Sequence, residues 1–210
     1  AWRAVDTSRN IFAQFVWTGF DFMGEAGRWP SRSSSAGLMD LAGFPKTDYY
    51  IRQTLWLDKP VIWLVAGRIR NGQPERGPRA TKPSWNWNSG DSIRVNCITN
   101  AEEAALFLNG RSLGKKSKKD TTQRGLFWIL AYEPGELSVK GFSGGKEVGS
   151  NKLVSSKEPA KLVVITEKNK QLAHIEIFIK DSQDNAVYEA SNEITVDIKG
   201  PAILRPGAPL

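Results

Sequence analysis

Three carboxylates, Asp21, Glu25 and Asp40, follow closely on the aromatic run Phe15-Val16-Trp17-Thr18-Gly19-Phe20. Sugar hydrolysis needs two acids, about 5 to 5.5 Å apart if configuration is retained and further apart if it is inverted. Asp21 and Glu25 come just past the apolar run, where loops beyond a buried strand carry functional groups. The same acids could equally bind a polar ligand edge, cap a helix or pair with Arg28 or Arg32. Trp17 sits near the end of the run. Its ring could face the apolar C–H face of a sugar or fill a core. Trp85 and Trp87, in Trp85-Asn86-Trp87-Asn88, share one face if the segment is extended. They are candidates for a carbohydrate-binding platform or for packing against an adjoining domain.

Other chemistries find little support. The run Lys115-Lys116-Ser117-Lys118-Lys119 could attract phosphates, but no aromatic lies within it to stack bases. A solvated hairpin loop explains it, and no nucleic-acid partner is expected. The single Cys97 and single His174 exclude an internal disulfide, a cysteine-rich metal site and a multi-histidine zinc site. Neither a phosphate-cradling glycine motif nor any other sign of a metal or cofactor is present, so none is expected. No stretch approaches the roughly 18 uninterrupted apolar residues of a membrane helix, so no membrane partner is expected. The opening Ala-Trp-Arg-Ala-Val-Asp has no basic n-region or apolar h-region, so no signal peptide is expected within this chain.

The elements that must position these residues fall into two compositions. The chain has 210 residues, 40% of them hydrophobic and 24% charged, with a formal charge of +7; that is enough to bury a core. Residues 1 to 63 hold 12 of the 21 aromatics, so this part reads as a different structure from the rest. A short helix, or the end of one, is expected within about 3 to 13. Phe15–Phe20 reads as a buried strand, 24–43 as a long loop, and Thr47–Leu57 as a helix stopped by Pro60. One such α/β unit cannot bury its own sheet.

From Val61 onward, short alternating strands and turn signals every 8 to 12 residues predict a β-sandwich. Asn109-Gly110 and Gly144-Gly145 mark hairpins. A second β-unit begins near Ala160, with strands expected over Leu162–Ile165, Ile175–Ile179 and Ile194–Ile198. Roughly 50 residues are too few for a usual sandwich of about 100, so this unit is expected to be truncated or to borrow edge pairing from a neighbour, and the chain to be cut at both ends.

The block Phe15-Val-Trp-Thr-Gly-Phe-Asp-Phe-Met-Gly-Glu25 closely resembles glycoside hydrolase family 2, the β-galactosidase-like enzymes. The resemblance continues through Trp29-Pro-Ser, Ser33 to Lys46, Tyr49-Tyr50 and Pro83-Ser-Trp-Asn-Trp87. Leu106-Phe-Leu-Asn-Gly-Arg-Ser-Leu-Gly114 and Tyr132-Glu-Pro-Gly-Glu-Leu137 look like the immunoglobulin-like domain that follows the catalytic barrel in that family. Asp181, Asn192 and the segment from Ile194 to Gly200 resemble a further appended β-sandwich. Ser84 stands where relatives often have a His.

The implied fold is mainly β. An immunoglobulin-like β-sandwich (58–157) follows a remnant of a (β/α)8 barrel (1–57) and precedes a second, truncated β-sandwich unit (158–210). Trp17 matches the Trp that lines the sugar subsite at the end of the eighth barrel strand. Asp21 and Glu25 match positions near the same pocket, and Phe44 and Lys46 match its rim. The family's two catalytic Glu residues lie on earlier barrel strands, so no catalytic residue is expected here. The implied partners are a β-galactoside or related glycoside, bound in the parent, and the rest of the barrel. A periplasmic or secreted location also follows from the resemblance.

Overall fold

The computed structural model describes residues 2–27, 29–75, 80–120, 125–201 and 203. They fall into two compact units, one within residues 1–50 and 200–210 and one of residues 51–199. The architecture is mainly β, as the strand signals predict.

The first unit opens with a short helix, α1 (Trp2–Thr7). The buried strand expected over Phe15–Phe20 does not form as a regular strand. The segment instead bonds in parallel with residues 36–39. Leu38 N–H donates to Thr18 O at 3.0 Å, Met39 N–H to Gly19 O at 3.0 Å and Asp21 N–H to Met39 O at 2.9 Å. A parallel bridge joins Phe20 and Met39. A single pairing leaves both faces uncovered, so Phe15 and Trp17 stay 94% and 71% exposed. The apolar run signals burial, but the described residues supply no layer to bury it.

β1 (Phe22–Met23) pairs antiparallel with β2 (Ser33–Ser34), so the expected long loop carries a ladder of its own. Gly37 is required where the loop returns, because a Cβ there would collide with Asp21 N and the Phe20 carbonyl carbon. Helix α2 (Thr47–Trp56) ends one residue before the predicted limit, and Asp48 lies in its first turn, where a carboxylate complements the helix dipole.

The second unit is built from β3 (Ile62–Arg70), β4 (Gln73–Pro74), β5 (Ser92–Thr99), β6 (Glu103–Leu108), β7 (Arg111–Ser117), β8 (Leu126–Ala131), β9 (Glu136–Ser143) and β10 (Lys146–Val154). They form two antiparallel four-stranded sheets, ordered β4-β3-β5-β8 and β10-β9-β6-β7. Alternate residues face the interior. Leu64, Ile93, Val95 and Cys97 from one sheet meet Ala104, Leu106, Leu137 and Val139 from the other, all fully buried. Each buried Leu, Ile or Val side chain contributes roughly 1.5–3 kcal/mol. The predicted hairpins close as expected. Asn109 and Gly110 take φ of 52° and 79°, and Gly144 and Gly145 take 56° and 76°, the left-handed pairs that two-residue turns require.

β11 (Lys161–Asn169) and β12 (Leu172–Lys180) form a separate two-stranded hairpin. Its register places Leu162 opposite Ile179 and Val164 opposite Ile177. The third strand expected over Ile194–Ile198 is absent, although the apolar alternation is there. No ladder partner pairs with that segment among the described residues, and Ile194, Val196 and Ile198 are 37–42% exposed.

Candidate functional site

The first unit brings two of the singled-out residues together. Asp21 follows the parallel-bonded segment, and Lys46 precedes α2. Lys46 Nζ donates to Asp21 Oδ1 at 2.7 Å and to the Ser35 carbonyl at 2.9 Å. Asp21 Oδ1 also accepts the Gly37 N–H at 2.8 Å. Their side chains are 11% and 26% exposed, so the pair is only partly screened by water. One carboxylate and one ammonium thus clamp the 35–37 loop. Asp21 is committed to a cation and an amide, which suits a structural acceptor.

Asp40 has a local duty. Its Oδ1 accepts the Ala42 and Phe44 N–H groups, both at 2.9 Å, and its own N–H donates to Phe44 O. The turn so formed returns the chain, and Lys46 N–H then bonds Leu38 O at 2.9 Å. Asp40 therefore aims the segment that delivers Lys46, and Phe44 belongs to the same turn. Glu25 does not join them. It is exposed, has φ of 43° and makes no hydrogen bond or ion pair among the described residues. Asp21 and Glu25 do not present themselves as a matched pair of free acids.

Trp17 directly precedes Thr18, whose N–H donates to Ala36 O and whose carbonyl accepts the Leu38 N–H. The Trp17 ring meets Phe22 edge-on, with centroids 6.0 Å apart at 84°. The Phe22 contact steadies one edge of a ring that is otherwise largely open. An exposed aromatic face beside fixed polar groups can take the apolar face of a sugar ring while donors and acceptors address its hydroxyls. The sequence reading missed Ser35 and Gly37 as parts of this arrangement. The detectable signal was the small-residue stretch Ser33-Ser-Ser-Ala-Gly37, which permits the close return.

The second unit corrects the proposed tryptophan platform. Trp85 is fully buried, donates from Nε1 to the Glu133 carbonyl at 2.9 Å and packs edge-on against Tyr132. Trp87 is half-buried, with Lys82 Nζ 4.5 Å and Arg68 Cζ 5.9 Å from its ring centroid. The alternation that puts both rings on one side is real, but that side is the core side. Ser84 is also engaged. Its hydroxyl donates to Glu189 Oε1 at 2.9 Å and accepts the Asn86 N–H. Lys82 pairs with the same Glu189.

Burial pushes the Cys97 thiol up to about 12, so it stays protonated. Among the described residues, no group of three His, Cys, Asp or Glu side chains converges to hold a metal, and no helix is long and apolar enough to cross a membrane.

A family described as a domain of unknown function (DUF4982) matches residues 90–149, within the sandwich. The chain is 34% identical over 199 residues to β-galactosidase BoGH2A of Bacteroides ovatus, covering 90% of this chain and 21% of that protein. It is 36% identical over 153 residues to a putative β-glucuronidase of Formosa agariphila, covering 70% of this chain and 13% of that protein. A solved glycosyl hydrolase family 2 member from Bacteroides cellulosilyticus superposes with a TM-score of 0.75 at 26% identity, over 88% of this chain and 28% of its own. The chain thus spans about a fifth or less of the curated relatives. Across nearly its whole length the chain matches, in sequence and in fold, a part of proteins of glycoside hydrolase family 2.

Proposed function

We propose that these residues supply one wall of the substrate cleft, together with β-sandwich scaffold, in a retaining β-glycosidase. In this reading residues 1–57 end the (β/α)8 catalytic barrel, 58–157 form an immunoglobulin-like domain and 158–210 begin a further β-sandwich. Supporting it are the clamp at Lys46, Asp21, Ser35 and Gly37 and the open ring of Trp17, four residues before Asp21. A sugar held against that ring presents its glycosidic bond to two Glu residues elsewhere in the parent. One protonates the leaving oxygen and the other attacks the anomeric carbon, after which water resolves the glycosyl-enzyme. The substrate class is a β-linked galactoside or related glycoside, in keeping with relatives named β-galactosidase and β-glucuronidase. A periplasmic or secreted location is part of the same proposal.

The test uses both the parent enzyme and the 210-residue chain. In the parent, Trp17→Ala should lower kcat/KM on an aryl β-galactoside by about ten- to hundredfold, the loss of one large apolar contact. The isolated chain should show no turnover. Cleavage by the isolated chain that disappears in Glu25→Gln would overturn this reading and make Glu25 catalytic. A non-catalytic glycan-binding module is the rival reading, and full burial of Trp85 counts against it.

A further inference from the structure

Two Asn-Gly pairs close two-residue hairpin turns in the second unit, and they are held very differently. We infer that Asn71 is a site of spontaneous deamidation and isoaspartate formation, while Asn109 is protected by its surroundings. Both asparagines are exposed and left-handed, with φ of 51° and 52°, and each is followed by a glycine with no side chain to hinder approach.

The side chain of Asn109 is tied on every side. Its Nδ2 donates to Glu133 Oε1 and to Pro134 O, both at 3.0 Å, and its Oδ1 accepts the Glu136 N–H at 2.9 Å. Gly135, at φ 135°, lies so close that a Cβ there would strike the Asn109 amide. That amide cannot swing toward the next backbone nitrogen without giving up three hydrogen bonds. The side chain of Asn71 has no hydrogen-bond partner among the described residues. Its turn is also weakly held. β4 is two residues long, pairing Arg70 with Gln73 and Ile69 with Pro74, and among the described residues one further bond, Glu75 N–H to Arg68 O at 3.0 Å, continues the pairing, whereas β6 and β7 pair over most of their length. Short ladders open locally at small cost. Opening lets Asn71 leave the left-handed conformation and reach an attack geometry.

The chemistry is hydrolytic and needs only water. The Gly72 amide nitrogen loses its proton to a solvent base and attacks Asn71 Cγ. A C–N bond forms, the carboxamide C–N bond breaks and ammonia departs with a proton. Water then opens either carbonyl of the five-membered imide, leaving an aspartyl or isoaspartyl linkage. The isoaspartyl product adds a methylene to the main chain, and both products add a negative charge beside the Arg70–Glu75 ion pair.

Incubating the 210-residue chain in mildly alkaline buffer, followed by proteolysis and mass spectrometry, tests this. The expected result is acid and isoaspartate at position 71, accumulating about tenfold or more faster than at 109, the protection one lost hydrogen bond would remove. In urea the two rates should converge, because both sites are Asn-Gly. Gly72→Ala should suppress the reaction at 71, and Glu133→Ala should raise the rate at 109. If Gly72→Ala alters folding, the folded-against-urea comparison on the unsubstituted chain still decides. Equal rates in the folded chain, a faster rate at 109, or an intact Asn71 amide in a chain that deamidates only in urea would overturn the proposal.

Discussion

Lys46 Nζ lies 2.7 Å from Asp21 Oδ1, joining residues 25 positions apart across the loop that returns over Gly37. This ion pair is the main side-chain fastening of that loop. Lys46→Met should therefore strand a largely buried carboxylate and free the Ser35 carbonyl. The expected cost is about 1–2 kcal/mol of local stability, between the values for exposed and buried pairs. Amide hydrogen exchange at Gly37 should quicken in Lys46→Met and in Asp21→Asn, with less than additive effects in the double variant. Additive effects would show that the two groups act apart.

Glu189 holds the strap around Lys82 and Ser84 to the segment that follows β12. Ser84 is only 3% exposed, so removing its acceptor leaves a buried hydroxyl with less to bond. Glu189→Ala should cost about 1–2 kcal/mol and expose residues 186–190 to proteases, with the sandwich core unchanged. Cleavage kinetics under native conditions measure this. An unaltered pattern would mean the strap is held by other contacts.

Asp181 makes the molecule acid-sensitive in a defined window. It is fully buried and accepts the backbone N–H groups of Lys157, Gln183 and Asn185, together with Asn185 Nδ2. The Lys157 N–H is foremost in stabilising the ionised form, and the carboxyl falls from 3.8 to about 2. A depressed folded value means the unfolded chain takes up the proton first as pH falls. The contribution is therefore complete above about pH 4 and is lost progressively toward pH 2. Acid unfolding followed by circular dichroism should show this loss, and Asp181→Asn should flatten the response between those limits. An equally steep response in that variant would assign the sensitivity to other groups.

Much of the second unit is legible in the sequence, and the reason is local. Asn109-Gly110 and Gly144-Gly145 declare turns through backbone geometry that few residues tolerate, and Ile93, Val95 and Cys97 declare a face through period-two alternation. Where outcome depends on a distant partner, legibility ends. Phe15–Phe20 and Ile194–Ile198 carry strand patterns, yet among the described residues neither meets the neighbouring layer or ladder that would make a buried strand. Trp85 and Trp87 reveal a shared side but not which side faces water. Asp21 could be singled out by type, whereas its bond to Lys46 depends on a loop return that no short pattern encodes. The turn at Asp40 likewise shows its purpose only once Ala42 and Phe44 are in place.

Cys97 provides a direct reading of sandwich integrity. It is the single cysteine of the chain and lies on β5 with no exposure, facing the joint core of the two sheets. Desolvation holds its thiol up to about 12, against which the charge of Lys118 acts in the opposite sense and more weakly. The reactive thiolate is thus scarce at neutral pH, and reagents cannot reach the sulfur. A disulfide reagent should label the native chain only at the rate of unfolding, and in denaturant the site should react at once. Leu106→Ala in the facing sheet should cost about 2–5 kcal/mol and speed labelling under native conditions. Lys46→Met in the first unit should leave the labelling rate unchanged. Rapid labelling of the unsubstituted native chain would mean that the sandwich opens locally at β5 and that its core is not the most stable part of the molecule.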